Sequence, residues 1–314
     1  MRSPDKKLER LVTCARMYYE QNMTQNEIAK ALGVSRPLVS VLLSEARQKG
    51  IVTITIHAAG SVEELAAAQL KQRFSLRQVL VVPDGKSAEE TNNAVAAAVW
   101  DLCFARCTGG SVGLGWGSML GRMADYADTL PDAKAPLPGR ILPLIGGIGG
   151  SYRGYHTNEL ARVFSSKTGM PADYLYLPAF FDSEAEARFA RGLDSTKAIE
   201  SKWADMDLAI VNISNYLSYP DLGVEYRFGS RLAQNGAAGR VLAHYYDRKG
   251  RIIEPAVDNG LQASIAQLSS AKSTVAVCST LLRPEAVVGF LRLVAAQTLC
   301  LPHSLAERVL SFEG

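Results

Sequence analysis

The chain is poor in the features that mark several large protein classes. It has four histidines and five cysteines, and the cysteines, at positions 14, 103, 107, 278 and 300, form no Cys-x-x-Cys pair and have no clustered histidines beside them. That argues against a zinc module or a disulfide-stapled fold, and neither a metal nor a cofactor is expected. Cys103 and Cys107 stand one helical turn apart, but small free thiols are most often buried packing residues, so no redox role is assigned to them. No stretch approaches the ~18 uninterrupted apolar residues of a membrane span, and no membrane partner is expected. The opening Met1-Arg2-Ser3-Pro4-Asp5-Lys6-Lys7 leads into a polar-faced helix rather than an apolar signal core, so the expected location is the cytoplasm. Repeats, low-complexity tracts and long linkers are also missing. With 47% hydrophobic and 21% charged residues, disorder and a coiled coil both fit poorly, and 314 residues accommodate two domains.

Net charge is low overall but unevenly placed. Residues 1–50 hold nine Lys/Arg against five Asp/Glu, whereas the remaining residues hold 25 against 26. A small basic head on a neutral body is the asymmetry of a nucleic-acid-binding module. The division is placed at 1–56 and 57–314, where His57-Ala58-Ala59-Gly60 precedes a helix starting near Val62.

Leu8, Leu11, Val12, Ala15, Tyr18 and Tyr19 recur at helical spacing and predict a first helix over about 5–21. Thr24 is a good N-cap with Glu27 as its capping-box partner, opening a short helix that Gly33 closes. Ser35 caps the next, with Pro37 in its first turn, and that helix runs to about Lys49 before Gly50. The β-branched run Ile51-Val52-Thr53-Ile54-Thr55-Ile56 reads as a strand. Two short helices that meet steeply need a small residue at their contact, a glycine-compatible turn and apolar anchors at fixed offsets. Ile28 and Ala29, then Gly33, then Val39 and Leu42 supply these in the register of a helix-turn-helix, and the caps count against a plain helical hairpin.

In such a motif the start of the second helix enters the major groove. Ser35, Arg36, Ser40 and Ser44 are therefore expected at base edges, with Pro37 in the same first turn. Arg36 either reads a guanine or clamps a phosphate, because roughly half to two-thirds of protein–DNA hydrogen bonds go to the backbone. Gln25, at the first helix N-terminus, is expected on a phosphate. Met17-Tyr18-Tyr19, Met23 through Ala29, Leu32 through Ser40, Leu42-Leu43, Ala46-Arg47 and Gly50-Ile51-Val52 together resemble the head of the SorC family of bacterial transcriptional regulators. One departure is Val41, where the family usually carries an arginine facing DNA.

From Gly60 onward short apolar runs alternate with helical segments. The strand candidates are Gln78–Val82, Ser111–Leu114, Arg140–Leu144, Asp207–Ile213, Ser273–Cys278 and Thr298–Leu301. The resulting expectation is an all-α helix-turn-helix head followed by an α/β domain with a mostly parallel, Rossmann-like sheet. Val112 through Met119 places a glycine-rich turn between strand and helix, and Ile145 through Gly150 places a second one before Tyr155-His156-Thr157-Asn158. Each turn alone is weak evidence, since tight strand–helix packing also calls for glycine. Two at one sheet edge converge on the crevice where open α/β sheets bind ligands, with backbone N–H groups facing a polyhydroxylated molecule. Gly115, Trp116, Gly117, Ser118, Gly147 and Asn158 are the expected contacts, with Trp116 beside the ligand. His156 is read as a capping or pocket residue rather than a catalytic one.

These stretches, with Ala204–Ile213, Gly236-Ala237-Ala238-Gly239 and Tyr245-Tyr246-Asp247, resemble the SorC-family sugar-binding domain. The resemblance implies a sheet similar to that of sugar-phosphate isomerases and glucosamine-phosphate deaminases. It also implies a homo-oligomer, typically a tetramer, that binds operator DNA and answers to a sugar, polyol or phosphosugar effector. The departures gather at the expected ligand site. Ser279-Thr280-Leu281-Leu282-Arg283 stands for a Gly-Gly-x-x-Lys loop, Leu301-Pro302 for a Thr-Asp pair, Arg240 for an aspartate, and Asn212 and Ser214 for glycines. Asn212, Ser279 and Arg283 therefore join the expected contacts, with an altered effector favoured over a decayed pocket. Two other functions compete with that of a regulator. A sugar-phosphate isomerase- or deaminase-like enzyme with an added head needs a positioned acid and base, and Asp207, Glu225, Asp258 and His303 form no obvious pair. An architectural DNA-binder would need only an inert body.

Overall fold

The computed structural model describes residues 4–48, 51–52, 60–104, 109–133, 135–149, 153–217 and 224–313. The chain divides into two compact units, Met1–Ala59 and Gly60–Gly314. The expected boundary at 56/57 falls among residues outside the described set.

The first unit holds α1 (Pro4–Tyr19), α2 (Gln25–Leu32) and α3 (Arg36–Gln48). A capping box opens α2: the Thr24 N–H donates to Glu27 Oε2 at 2.7 Å and the Glu27 N–H donates to Thr24 Oγ1 at 3.3 Å. Gly33, at φ 62°, closes it in the left-handed conformation that turns its N–H back onto the Ala29 and Lys30 carbonyls. Leu11, Cys14, Ile28, Ala29, Val39, Leu42 and Leu43 are buried together, so each helix turns its apolar stripe inward. Ile51 and Val52 form a bend, and the rest of the strand expected there lies outside the described residues.

The second unit runs α4 (Val62–Phe74), β1 (Gln78–Val82), α5 (Ala88–Phe104), β2 (Gly110–Leu114), α6 (Ser118–Asp128), β3 (Gly139–Pro143) and α7 (Thr157–Thr168). It continues with α8 (Glu184–Gly192), α9 (Asp194–Trp203), β4 (Leu208–Asn215), α10 (Val224–Phe228), α11 (Arg231–Gln234), β5 (Ala237–Val241), β6 (His244–Asp247) and β7 (Ile252–Ile253). Then follow α12 (Ile265–Ser270), β8 (Ser273–Val277), α13 (Pro284–Leu293), β9 (Thr298–Pro302) and α14 (His303–Leu310).

Six strands are parallel, in the order β3-β2-β4-β8-β9-β1. Side chains alternate across the sheet as the pleat requires: Ala209, Val211 and Ile213 of β4 enter one core and Ile210 the other. Residues of α5, α6 and α7 fill one core, and residues of α4, α9, α12, α13 and α14 fill the other. All six expected strands are present. The sequence pattern missed an antiparallel extension in which the end of β4 pairs with β5, β5 with β6 and β6 with β7. Ala-Ala-Gly-Arg has little β propensity, and a bulge between Ala237 and Gly239 hides its alternation. No described helix is long and apolar enough to cross a membrane.

Candidate functional site

In the first unit, α3 buries Val39, Leu42, Leu43 and Ala46 and turns Arg36, Pro37, Ser40 and Val41 to the surface, with Ser44 half-buried beside them. Arg36 and Gln25 line one open groove of about 600 Å³, together with Tyr18, Tyr19, Asn22 and Thr24. Asn22 turns the chain there at φ 53°. Two residues expected to meet DNA thus share a surface concavity, and the two tyrosines are additions to it. Ser35 serves the helix itself, its Oγ accepting from the Leu38 N–H at 3.4 Å.

In the second unit β2, β3, β4, β8 and β9 are parallel, so the segments that leave them emerge at one edge of the sheet. Their backbone donors are not free. The Gly115 N–H donates to Ile210 O, the Gly117 N–H to Gly154 O and the Gly147 N–H to Leu177 O, at 2.9, 2.7 and 3.0 Å. Gly115 and Gly117 answer to packing, whereas a Cβ on Gly147 would meet nothing within 4 Å. A Cβ on Gly115 would stand 3.1 Å from Leu242 Cδ2, and one on Gly117, at φ +124°, would stand 2.7 Å from Asn212 Cγ.

Asn212, 5% exposed, fills the space over that turn. Its Oδ1 accepts from the Met119 N–H at 3.1 Å, and its Nδ2 donates to Ile213 O and Ser214 Oγ. The N-terminus of α6 is therefore capped from within. Trp116 turns into the core rather than toward a ligand: it is 2% exposed, donates its indole N–H to Leu242 O at 3.1 Å and packs on Tyr155. Asn158 clamps Leu175, accepting from its N–H and donating to its carbonyl. Ser118 is half-buried in the first turn of α6.

Arg240 is 2% exposed, donates to the Tyr155 hydroxyl at 3.2 Å and lies near Leu242 O. The loop from β8 to α13 is held by residues that the sequence did not single out. Asn215 accepts from the Arg283 N–H and donates to Leu281 O, Asn92 accepts from the Thr280 N–H, and Arg308 donates to the Thr280 and Leu282 carbonyls. Arg283 is exposed, with Nη2 on Tyr216 O at 2.8 Å, and Ser279 is half-buried.

Of the residues weighed for an enzyme, the side chain of Glu225 lies outside the described set, and Asp207, Asp258 and His303 are scattered. Asp207 precedes β4 at the opposite sheet edge, paired with Lys272 at 2.6 Å. Asp258 pairs with Arg191, and His303 lies between Glu63 and Glu307. Among the described residues no three His, Cys, Asp or Glu side chains are grouped to hold a metal.

Residues 61–311 match Sugar-bind, the sugar-binding domain family, and residues 9–49 match Sigma-70, region 4. The chain is 26% identical to the sorbitol operon regulator of Klebsiella pneumoniae over 275 residues, covering 85% of this chain and 86% of that protein. The crystal structure of that full-length regulator, SorC, aligns with a TM-score of 0.81 over 98% of this chain and 100% of its own. This chain belongs to the SorC family. Another relative, the deoxyribonucleoside regulator of Bacillus subtilis, is 24% identical over 79% of this chain and 80% of its own length. The transcriptional regulator LsrR of Escherichia coli K12 is 26% identical over 78% of this chain and 76% of its own length. For a SorC-family chain, the departures noted in the sequence now have a physical form. Asn212 and Arg240 are not gaps in a pocket but buried side chains with partners inside the fold.

Proposed function

We propose that this chain is a transcriptional regulator that binds operator DNA through α3 and responds to a small sugar, polyol or phosphosugar at the C-terminal edge of the parallel sheet. The observation that carries this reading is the exposed face of α3, where Arg36, Pro37 and Ser40 project beside a groove shared with Gln25. Gln25 and Arg36 grip the duplex, and Ser40 and Ser44 face the bases. The effector is received around Ser118, Ser279 and Arg283, flanked by the glycine turns at Gly115, Gly117 and Gly147. The protein acts as a homo-oligomer, a tetramer, in the cytoplasm and catalyses no reaction. Relatives named for sorbitol and deoxyribonucleoside control support a carbohydrate operon as the target. A constitutive DNA-binder is the second reading, favoured by the pairing of the glycine N–H groups within the fold. A gel-shift titration on the cognate operator with and without a panel of sugars, polyols and phosphosugars separates the two: only the first reading expects a shift in operator affinity.

A further inference from the structure

One buried cation lies outside every role described above. Arg227 of α10 is 3% exposed, and its Nε and Nη1 are buried without a hydrogen-bond partner among the described residues. Its guanidinium carbon sits 4.2 Å from the Phe180 ring centroid and 5.0 Å from that of Phe228. No described carboxylate forms an ion pair with it. Asp258, whose charge acts on it, is bound by Arg191 at 3.1 Å. An isolated buried ion is strongly unfavourable unless something compensates it, and burial pushes this guanidinium down to about 10.

A second group nearby is unsatisfied in the opposite sense. Asn259 is 1% exposed, and its Oδ1, an acceptor, is buried without a partner among the described residues. The next residue, Gly260, is in contact range of the arginine: a Cβ there would stand 3.7 Å from Arg227 Nη2. Both belong to the edge where the loops converge. Phe180 bridges to Gly260 and packs on Trp116 at 6.3 Å, and the Ala263 N–H donates to Leu144 O at the end of β3.

We propose that Arg227 and Asn259 form an anion-binding subsite of the effector crevice and that the effector is a carboxylated sugar, an aldonate or uronate. The proposal rests on the effector reading above. A carboxylate takes the guanidinium donors, and a neighbouring hydroxyl of the same ligand donates to Asn259 Oδ1. The single positive charge matches one carboxylate, whereas a phosphate dianion would leave a negative charge uncompensated in the same apolar surroundings. At 3% exposure the arginine's cover must move for a ligand to enter, which couples occupancy to conformation.

Calorimetric and thermal-shift titrations of the full-length protein with D-gluconate, D-glucuronate, sorbitol and glucose 6-phosphate test this. At least one of the two acids should bind at least about tenfold more tightly than either sorbitol or glucose 6-phosphate. Arg227→Met should bring the affinity for that acid down to the level of sorbitol. Without ligand, this variant should melt no lower than the wild type, since it removes an uncompensated charge. A melting point far below the wild type would make the arginine a structural residue and overturn the proposal. Equal binding of acids and sorbitol, a preference for glucose 6-phosphate, or no binding of either acid would also overturn it. The crevice reading fails separately, only if no small molecule in the wider panel alters operator affinity.

Discussion

In the helix-turn-helix unit the side chains expected to act stand at the surface, with Arg36, Pro37 and Ser40 all exposed on α3. In the α/β unit many of the expected residues are turned inward and satisfied, as with Asn212 at 5% exposure and Trp116 at 2%. The reason lies in size and layering. Three short helices have one inner face, so whatever is not needed for their small core projects outward. A sheet covered on both faces leaves only its edge for function, and that edge is crowded by loops whose backbone groups pair with one another.

The largest effect expected is from Ile28→Ala, since Ile28 is 0% exposed in a core of few residues. It should cost the first unit ~2–5 kcal/mol. Calorimetry should show a lost or lowered transition for that unit and an unchanged one for the second, and loss of both together would remove the contrast between them. Asn212→Ala follows. The Met119 N–H loses its acceptor, which should cost ~1–3 kcal/mol in denaturant titrations. The vacated N-terminus of α6 should then gain a thermal shift with inorganic phosphate that the wild type lacks, and no such gain would mean that Asn212 does not block an anion site.

Arg36→Ala should weaken operator binding by ~1–3 kcal/mol and relax preference at one base pair if the contact is bidentate to guanine. Uniform loss across a panel of operator variants would assign it to phosphate. The smallest effect concerns pH. The Thr24 N–H, followed by its hydroxyl, holds the Glu27 carboxyl below its ordinary value of 4.5. Its contribution is therefore present above pH 4.5 and is lost as the pH falls through the lower folded value. The first unit should melt earlier in acid below that point, and Glu27→Gln should flatten the dependence.

Much of the architecture was legible because it rests on local rules. Thr24, Glu27 and Gly33 act within one turn of where they stand in the sequence, and the six parallel strands are marked by apolar runs that need both faces covered. The β5–β7 extension was not legible, since Ala237 to Arg240 becomes a strand only by pairing with the end of β4. At the sheet edge the glycine turns were legible, and the hydrogen bonds they make were not. Gly115 and Gly117 stand where a Cβ would crowd its neighbours and Gly147 does not, and the carbonyls that occupy the N–H groups of all three belong to residues 210, 154 and 177.

The sequence by itself determined the helix-turn-helix register, the mostly parallel character of the sheet and the division of charge, because caps, periodicity and composition act over a few residues. Only the tertiary structure decided which polar groups are left unsatisfied. Asn215, 66 residues from Leu281, ties down the β8–α13 loop, and Arg227 is brought against Phe180 and Gly260 with no carboxylate paired to it among the described residues. Whether a buried donor meets an acceptor depends on segments far apart in the chain, and local pattern carries no record of those meetings.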